Sequence, residues 1–224
     1  MNKKLFVLLT LALSVILFCP GFAAADSVTV SSSFSYDAAA QTSPQTLTLG
    51  SFNTALGTLT GISVEASGSV TAEVQLINFT SEAQAFTNAD SSGPFAITGP
   101  DNDQLGTLTA STGNISGTAS AGPFVISTFS NPANTQSYDW TATITPGDFG
   151  SYEGSNSPQF TLAYGPYSSS ASFTSGALGV GGDQVGNLTL TITYDYNPAP
   201  IPGTLWLFAP GLAGLTGLKR KYRG

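Results

Sequence analysis

The side chains that most often carry chemistry are nearly missing from this chain. There is no His among 224 residues, and the single Cys is Cys19. Nucleophilic triads need a base beside the nucleophile, so they fail outright. Zinc and iron sites lack their usual ligands for the same reason. Oxygen remains, in thirteen Asp and Glu. Two carboxylates suffice for glycoside hydrolysis, but Glu65 and Glu73 fall on the polar parity of alternating segments, where solvation accounts for them. Hard oxygen ligands also suit calcium. Pro100-Asp101-Asn102-Asp103-Gln104 puts two carboxylates and an amide on one loop, making Asp101 and Asp103 the candidate metal ligands. An EF-hand would need a downstream Glu that this loop lacks, and loop Asp and Asn are mainly turn formers. No catalytic residue and no bound cofactor are expected.

A sugar-binding platform would need exposed rings. Tyr138, Trp140, Phe149, Tyr152, Tyr164 and Tyr167 cluster in the second half. Burial would make them core residues; exposure in a shallow groove would make them a binding face. Asn78-Phe-Thr80, Asn114-Ile-Ser116 and Asn187-Leu-Thr189 match the N-glycosylation sequon.

Charge divides the chain into three. All six basic residues stand at the ends: Lys3, Lys4, Lys219, Arg220, Lys221 and Arg223. All acidic residues lie from Asp26 to Asp195. The body between therefore has no phosphate clamp and no means of counterion-release binding to nucleic acid. It also has no Cys, hence no disulfide framework.

Both ends resemble export signals. Lys3 and Lys4 form a basic region, Leu5 to Phe18 an apolar one, and Ala23-Ala24-Ala25 a small-residue cleavage site before Asp26. Residues 1–25 are thus expected to be a helical secretory signal peptide that engages the Sec translocon. Phe18 before Cys19 and Pro20 after it argue against lipidation. At the other end, Pro198, Pro200 and Pro202 hold the chain extended. An uncharged stretch from Thr204 to Leu218 follows, with Leu205, Trp206, Leu207, Phe208, Leu212, Leu215 and Leu218 for a membrane to receive. Lys219, Arg220 and Lys221 close it as a basic stop. As a helix it reaches about 22 Å, short of a hydrocarbon core of roughly 30 Å. Pro210, Gly211, Gly214 and Gly217 within it, and Gly203 just before it, weaken it further. A transient anchor is expected, with an ordinary short C-terminal transmembrane helix as the alternative.

Between the signals, period-two alternation recurs. Val28, Val30, Phe34 and Tyr36 share one parity in the first strand. Leu59 to Ala66 and Val70 to Leu76 predict a hairpin turning at Gly68. Further strands are expected at Leu47–Leu49, Ala83–Phe86, Phe95–Thr98, Leu105–Ala110, Ile115–Phe129 (interrupted at Gly117 and Gly122-Pro123), Ser137–Ile144 and Phe160–Tyr164. Gly176 to Gly186 is predicted to be a loop. Leu188, Leu190, Ile192, Tyr194 and Tyr196 then alternate with Thr189, Thr191, Thr193 and Asp195 in the last strand. Residues 26–197 are predicted to form one all-β domain, an antiparallel β-sandwich, with a β-barrel as the alternative.

Two resemblances carry this reading toward function. The order Pro-x-Pro, apolar helix opening Leu205-Trp206-Leu207, Gly-rich middle and basic end in residues 198–224 resembles the PEP-CTERM sorting signals of Gram-negative bacteria. The family's Val-Pro-Glu-Pro matches Ala199, Pro200, Ile201 and Pro202, with Ala for Val and Ile for Glu. Ile201 to Leu207 also fits the Ile-Pro-Gly-x-Leu-Trp-Leu core of one subgroup. The resemblance implies an inner-membrane intermediate, recognition by an exosortase, and delivery to the cell surface or extracellular matrix. Phe52 to Thr60, the alternating segments after it and the terminal Leu-Thr-Ile-Thr-Tyr-Asp-Tyr resemble choice-of-anchor surface domains of an E-like type, which implies location and fold rather than an activity. The expected role is non-enzymatic, structural or adhesive, in an extracellular polysaccharide matrix. A carbohydrate- or calcium-binding module is the alternative.

Overall fold

The computed structural model describes residues 25–40, 43–173 and 178–199. The expected signal peptide up to residue 24 and the expected sorting tail from Pro200 onward lie outside the described residues. Within them, no helix is long and apolar enough to cross a membrane.

Eleven strands follow in order: β1 (Asp26–Asp37), β2 (Gln45–Thr48), β3 (Gly57–Asn78), β4 (Gln84–Thr98), β5 (Gln104–Ser111), β6 (Ile115–Ala119), β7 (Val125–Ser130), β8 (Gln136–Thr143), β9 (Gln159–Tyr164), β10 (Ser168–Phe173) and β11 (Leu178–Pro198). They make two antiparallel sheets, neither closed into a barrel. In the first, β11 lies between β1 and β3, and the far edge of β3 is shared. There β8 covers Ser63 to Val70 and β7 covers Glu73 to Asn78. In the second, β4 is the spine, with β10 and β9 along one edge and β6 and β5 along the other. β2 pairs outside β9.

Alternation explains why these segments are strands: inward apolar residues alternate with outward ones, many of them Ser or Thr, suited to a pleated outer face. Val64, Ala66, Val70, Leu188, Leu190 and Ile192 face Phe95, Ile97, Phe160 and Leu162 across the main core. A smaller core gathers Val74, Leu76, Phe86, Ala89 and Ala119.

Three sequence expectations are corrected. The hairpin at Gly68 does not exist; β3 runs through it as one strand of 22 residues. Gly68 is required because a side chain there would collide with the Asn187 carbonyl of β11. The predicted glycine loop is, from Leu178 on, the first half of β11, paired to β3 throughout. Ala83–Phe86 and Phe95–Thr98 belong to one strand, β4, kept continuous by an irregularity between Phe86 and Ala89, where Asn88 takes φ 51°. β10, with its Ser-rich sequence and weak alternation, is not among the expected strands.

Candidate functional site

The predicted metal loop is a turn. Gly99 N donates to Asp103 O at 2.8 Å, and Asn102 adopts φ 62° at its apex. Asp101 and Asp103 are both exposed, and Asp101 accepts from Ser151 Oγ at 2.7 Å. One carboxylate is thus spent on tying the loop to the 3-10 segment Pro146–Tyr152. Among the described residues no group of three or more His, Cys, Asp or Glu is placed to hold a metal ion.

The carboxylates that do interact lie elsewhere. Asp183 of β11 stands directly opposite Glu73 of β3. Asp183 is buried beneath the turn after β1, accepting from Gln75 Nε2 at 3.2 Å and from its neighbour's amide, Gln184 N, at 2.7 Å. Burial, and then repulsion by Asp37, hold its carboxyl above the usual range; burial, then Asp183 and Asp37, do the same to Glu73. No cation among the described residues relieves either group.

The sign of the consequence follows. A carboxyl whose folded pKa exceeds its unfolded one binds protons more tightly in the native state. The fold thus gains stability as pH falls from neutral through the raised values, and loses it again as pH rises. Asp183→Asn keeps an acceptor for Gln184 N and removes one of two like charges directly opposed on neighbouring strands. It should stabilise the protein at neutral pH by about 0.2–1 kcal/mol and flatten the pH dependence. Urea midpoints at pH 7 and pH 4.5 check this; identical pH slopes for wild type and variant would count against it.

The aromatic residues divide by burial. Tyr138, Tyr152 and Tyr164 are core residues, while Trp140, Phe149 and Tyr167 are half-buried. Tyr138 stacks on Trp140 with ring centroids 4.8 Å apart, and Phe95 leans on both. Trp140 in turn lies flat against Gly106, whose missing side chain gives it room.

Between the two cores lies a polar layer that sequence reasoning missed. Ser91, Thr112 and Gln184 are fully buried in it. Gln184 Nε2 donates to Gly93 O at 2.8 Å, Ser91 N to Thr112 Oγ1 at 2.9 Å, and Ser169 Oγ to Ser91 Oγ at 3.1 Å. The Tyr167 ring passes between the two sheets against Gly93 and Gly182. Burial pushes the Tyr36 hydroxyl far above its ordinary range, with Tyr138, Tyr167 and Tyr164 adding to the effect. These phenols stay neutral and protonated at physiological pH.

The two ends of the body meet. Asp26, the residue after the expected signal cleavage site, pairs with Tyr196, whose hydroxyl donates to Asp26 Oδ2 at 3.3 Å. Ala199, the first residue of the Pro motif, donates its amide to Leu56 O at 2.8 Å. Ala25 and Ala199 thus leave the sandwich at one pole. Pro200, Ile201 and Pro202 and the membrane and basic residues after them lie outside the described residues. Of the three sequon asparagines, Asn114 and Asn187 are exposed. Asn78 is buried, with Nδ2 donating to Glu82 O and Ser120 O.

No protein-family model and no curated protein matches the chain. Among solved structures, the infectious bursal disease virus VP2 subviral particle is 14% identical with a TM-score of 0.23, covering 81% of this chain and 39% of that one. The T13 IBDV viral particle is 11% identical with a TM-score of 0.18, covering 78% and 36%. This chain spans well under half the length of those proteins, and TM-scores of that size do not establish a shared fold.

Proposed function

We propose that the chain is a non-enzymatic extracytoplasmic surface or matrix protein. In this reading it is exported through the Sec translocon, held at the inner membrane by residues 204–218, and processed by an exosortase at Ala199 to Pro202. The body then takes a structural or adhesive role in an extracellular polysaccharide matrix. The burial of Tyr138, Tyr152 and Tyr164 carries the choice between this and a sugar-binding module, since a platform for sugar rings must present its own rings to solvent. Ala25 and Ala199, which border the two expected processing positions, lie at the same pole of the sandwich. An acidic body with no cation of its own suits life in solution outside the membrane.

Processing gives the direct test. The surface-released protein is expected to begin at Asp26 and to lack Trp206 through Gly224. Intact-mass analysis of that fraction reads both ends at once. Recovery of the Lys219–Gly224 end there would sink the sorting reading.

A further inference from the structure

At the pole opposite the chain ends, the first sheet finishes in an open edge. β7 pairs with β3 on one side and has no ladder partner on the other among the described residues. Its register is regular, without a bulge, and its sequence Val-Ile-Ser-Thr-Phe-Ser holds no Pro and no charge. Natural edges are normally blunted by one of those devices. The flanking surface is apolar as well: Phe124 is 75% exposed, Ile126 56% and Phe79 46%. Ile126 stands beside Ile77 on the outer face, and Phe79 meets Phe124 edge to face with centroids 5.8 Å apart.

This patch is built rather than frayed. Phe124 sits at φ 64°, a conformation a bulky side chain adopts only when its surroundings impose it. Its amide donates to Asn78 O at 2.6 Å. Asn78 is itself fully buried, its Nδ2 donating to Glu82 O and Ser120 O and its Oδ1 accepting from Thr80. A strained backbone on a rigid base thus holds the Phe124 ring out into solvent, pre-organised for contact.

The chain's own ends do not supply the occupant. β11 runs 21 residues from this pole to Pro198, about 65 Å of strand. An extended link to Thr204 followed by a fifteen-residue helix reaches about 40 Å. Leu5 to Phe18, as a helix joined to Asp26 at that same far pole, reaches about 45 Å. Charge narrows the choice further. From Gln104 to Tyr138 the sequence has no charged residue, in a body that is otherwise acidic throughout. β7 itself brings no charge to the edge, the nearest carboxylates being Glu73, opposite Ser130 on β3, and Glu82, in the turn beyond Asn78; a second copy would therefore set one uncharged strand against another.

We propose that β7 and the Phe79–Phe124 pair form a self-association surface, on which a second copy adds its own β7 antiparallel to this one. An antiparallel edge is self-complementary, and a two-fold axis normal to the sheet brings outward residues onto outward residues when residue numbers in each pair share parity. The 3-10 turn at Pro132–Asn134 interrupts the edge before β8, so the regular overlap is the six residues of β7, about 20 Å. The copies join tip to tip, and their processed ends point away from each other. The proposal concerns the body alone and does not depend on the export reading.

The experiment uses the full chain in detergent, carrying Cys19→Ser so that introduced thiols report alone. Under mild oxidation, Thr128→Cys, alone or together with Ile126→Cys according to where the axis falls, should give a disulfide-linked dimer, while Ser31→Cys on the β1 edge stays monomeric. Ile126→Lys and Phe124→Ser, at exposed positions the fold tolerates, should each weaken dimerisation by tenfold or more in sedimentation velocity, about 1.4 kcal/mol. Unchanged melting curves confirm that both variants fold. A monomeric chain at tens of micromolar, a dimer indifferent to both substitutions, or equal cross-linking at Ser31 would each overturn the proposal.

Discussion

Val74→Asp and Leu190→Asp are each expected to abolish folding, while Thr191→Asp leaves the protein folded. Val74 and Leu190 are fully buried, one in each core. A carboxylate placed there loses its water, and no Lys, Arg or His exists among the described residues to pair with it. The penalty for an unpaired buried charge exceeds the 5–15 kcal/mol that typically separates folded from unfolded domains, unless the group takes up a proton at a smaller but still severe cost. Thr191 is one residue from Leu190 on the outer face, between Ser31 and Glu65. An Asp there meets Glu65 directly across the ladder and should cost about 1 kcal/mol. Urea titration separates the cases; comparable losses at all three positions would refute the inward parity of β3 and β11.

That parity was legible because it repeats. Leu188 to Tyr196 alternates without a break, and the same alternation in Val28 to Tyr36 supplied its partner strand. What failed was the reading of glycine. A glycine within an alternating run marks either a turn or a place where another backbone comes close, and composition does not separate the two. Parity did hold a clue at Gly68: Ala66, Gly68 and Val70 keep the same phase, as one continuous strand must. The glycines from 179 to 186 hid half of β11 for the same reason, and with it Asp183 and Gln184. The opposed carboxyl pair and the polar layer were therefore invisible, since each needs the β3–β11 register to exist. Asp101 and Asp103 drew attention by sequence proximity alone, whereas Glu73 and Asp183 are 110 positions apart in the chain and opposite each other in the sheet. Of the aromatic cluster, sequence could locate the rings but not their burial, which depends on the second sheet.

Gly68→Ala should expose the difference between a turn glycine and a crossing glycine. A methyl group at this position would press into the Asn187 carbonyl and come within 2.7 Å of Tyr138 Oη. Those two atoms are bonded to each other, Tyr138 Oη donating to Asn187 O at 2.8 Å. The added carbon must therefore push β11 away from β3 or break that buried bond, and the obstacle is backbone on one side. Overpacking of this kind costs about 1–3 kcal/mol, with about 1 kcal/mol more if the hydroxyl is stranded. Gly147→Ala is the control, because a side chain there meets nothing within 4 Å and should change stability by less than about 0.5 kcal/mol. Adding Tyr138→Phe to each background isolates the mechanism. If the methyl acts partly by displacing the hydroxyl, Gly68→Ala costs less in the Tyr138→Phe background than in the wild type, a coupling of about 1 kcal/mol. Denaturation midpoints at fixed m-value measure each of these chains. A Gly68→Ala protein as stable as Gly147→Ala would mean that β3 does not pass Asn187 at this distance, and the continuous 22-residue strand would have to be abandoned.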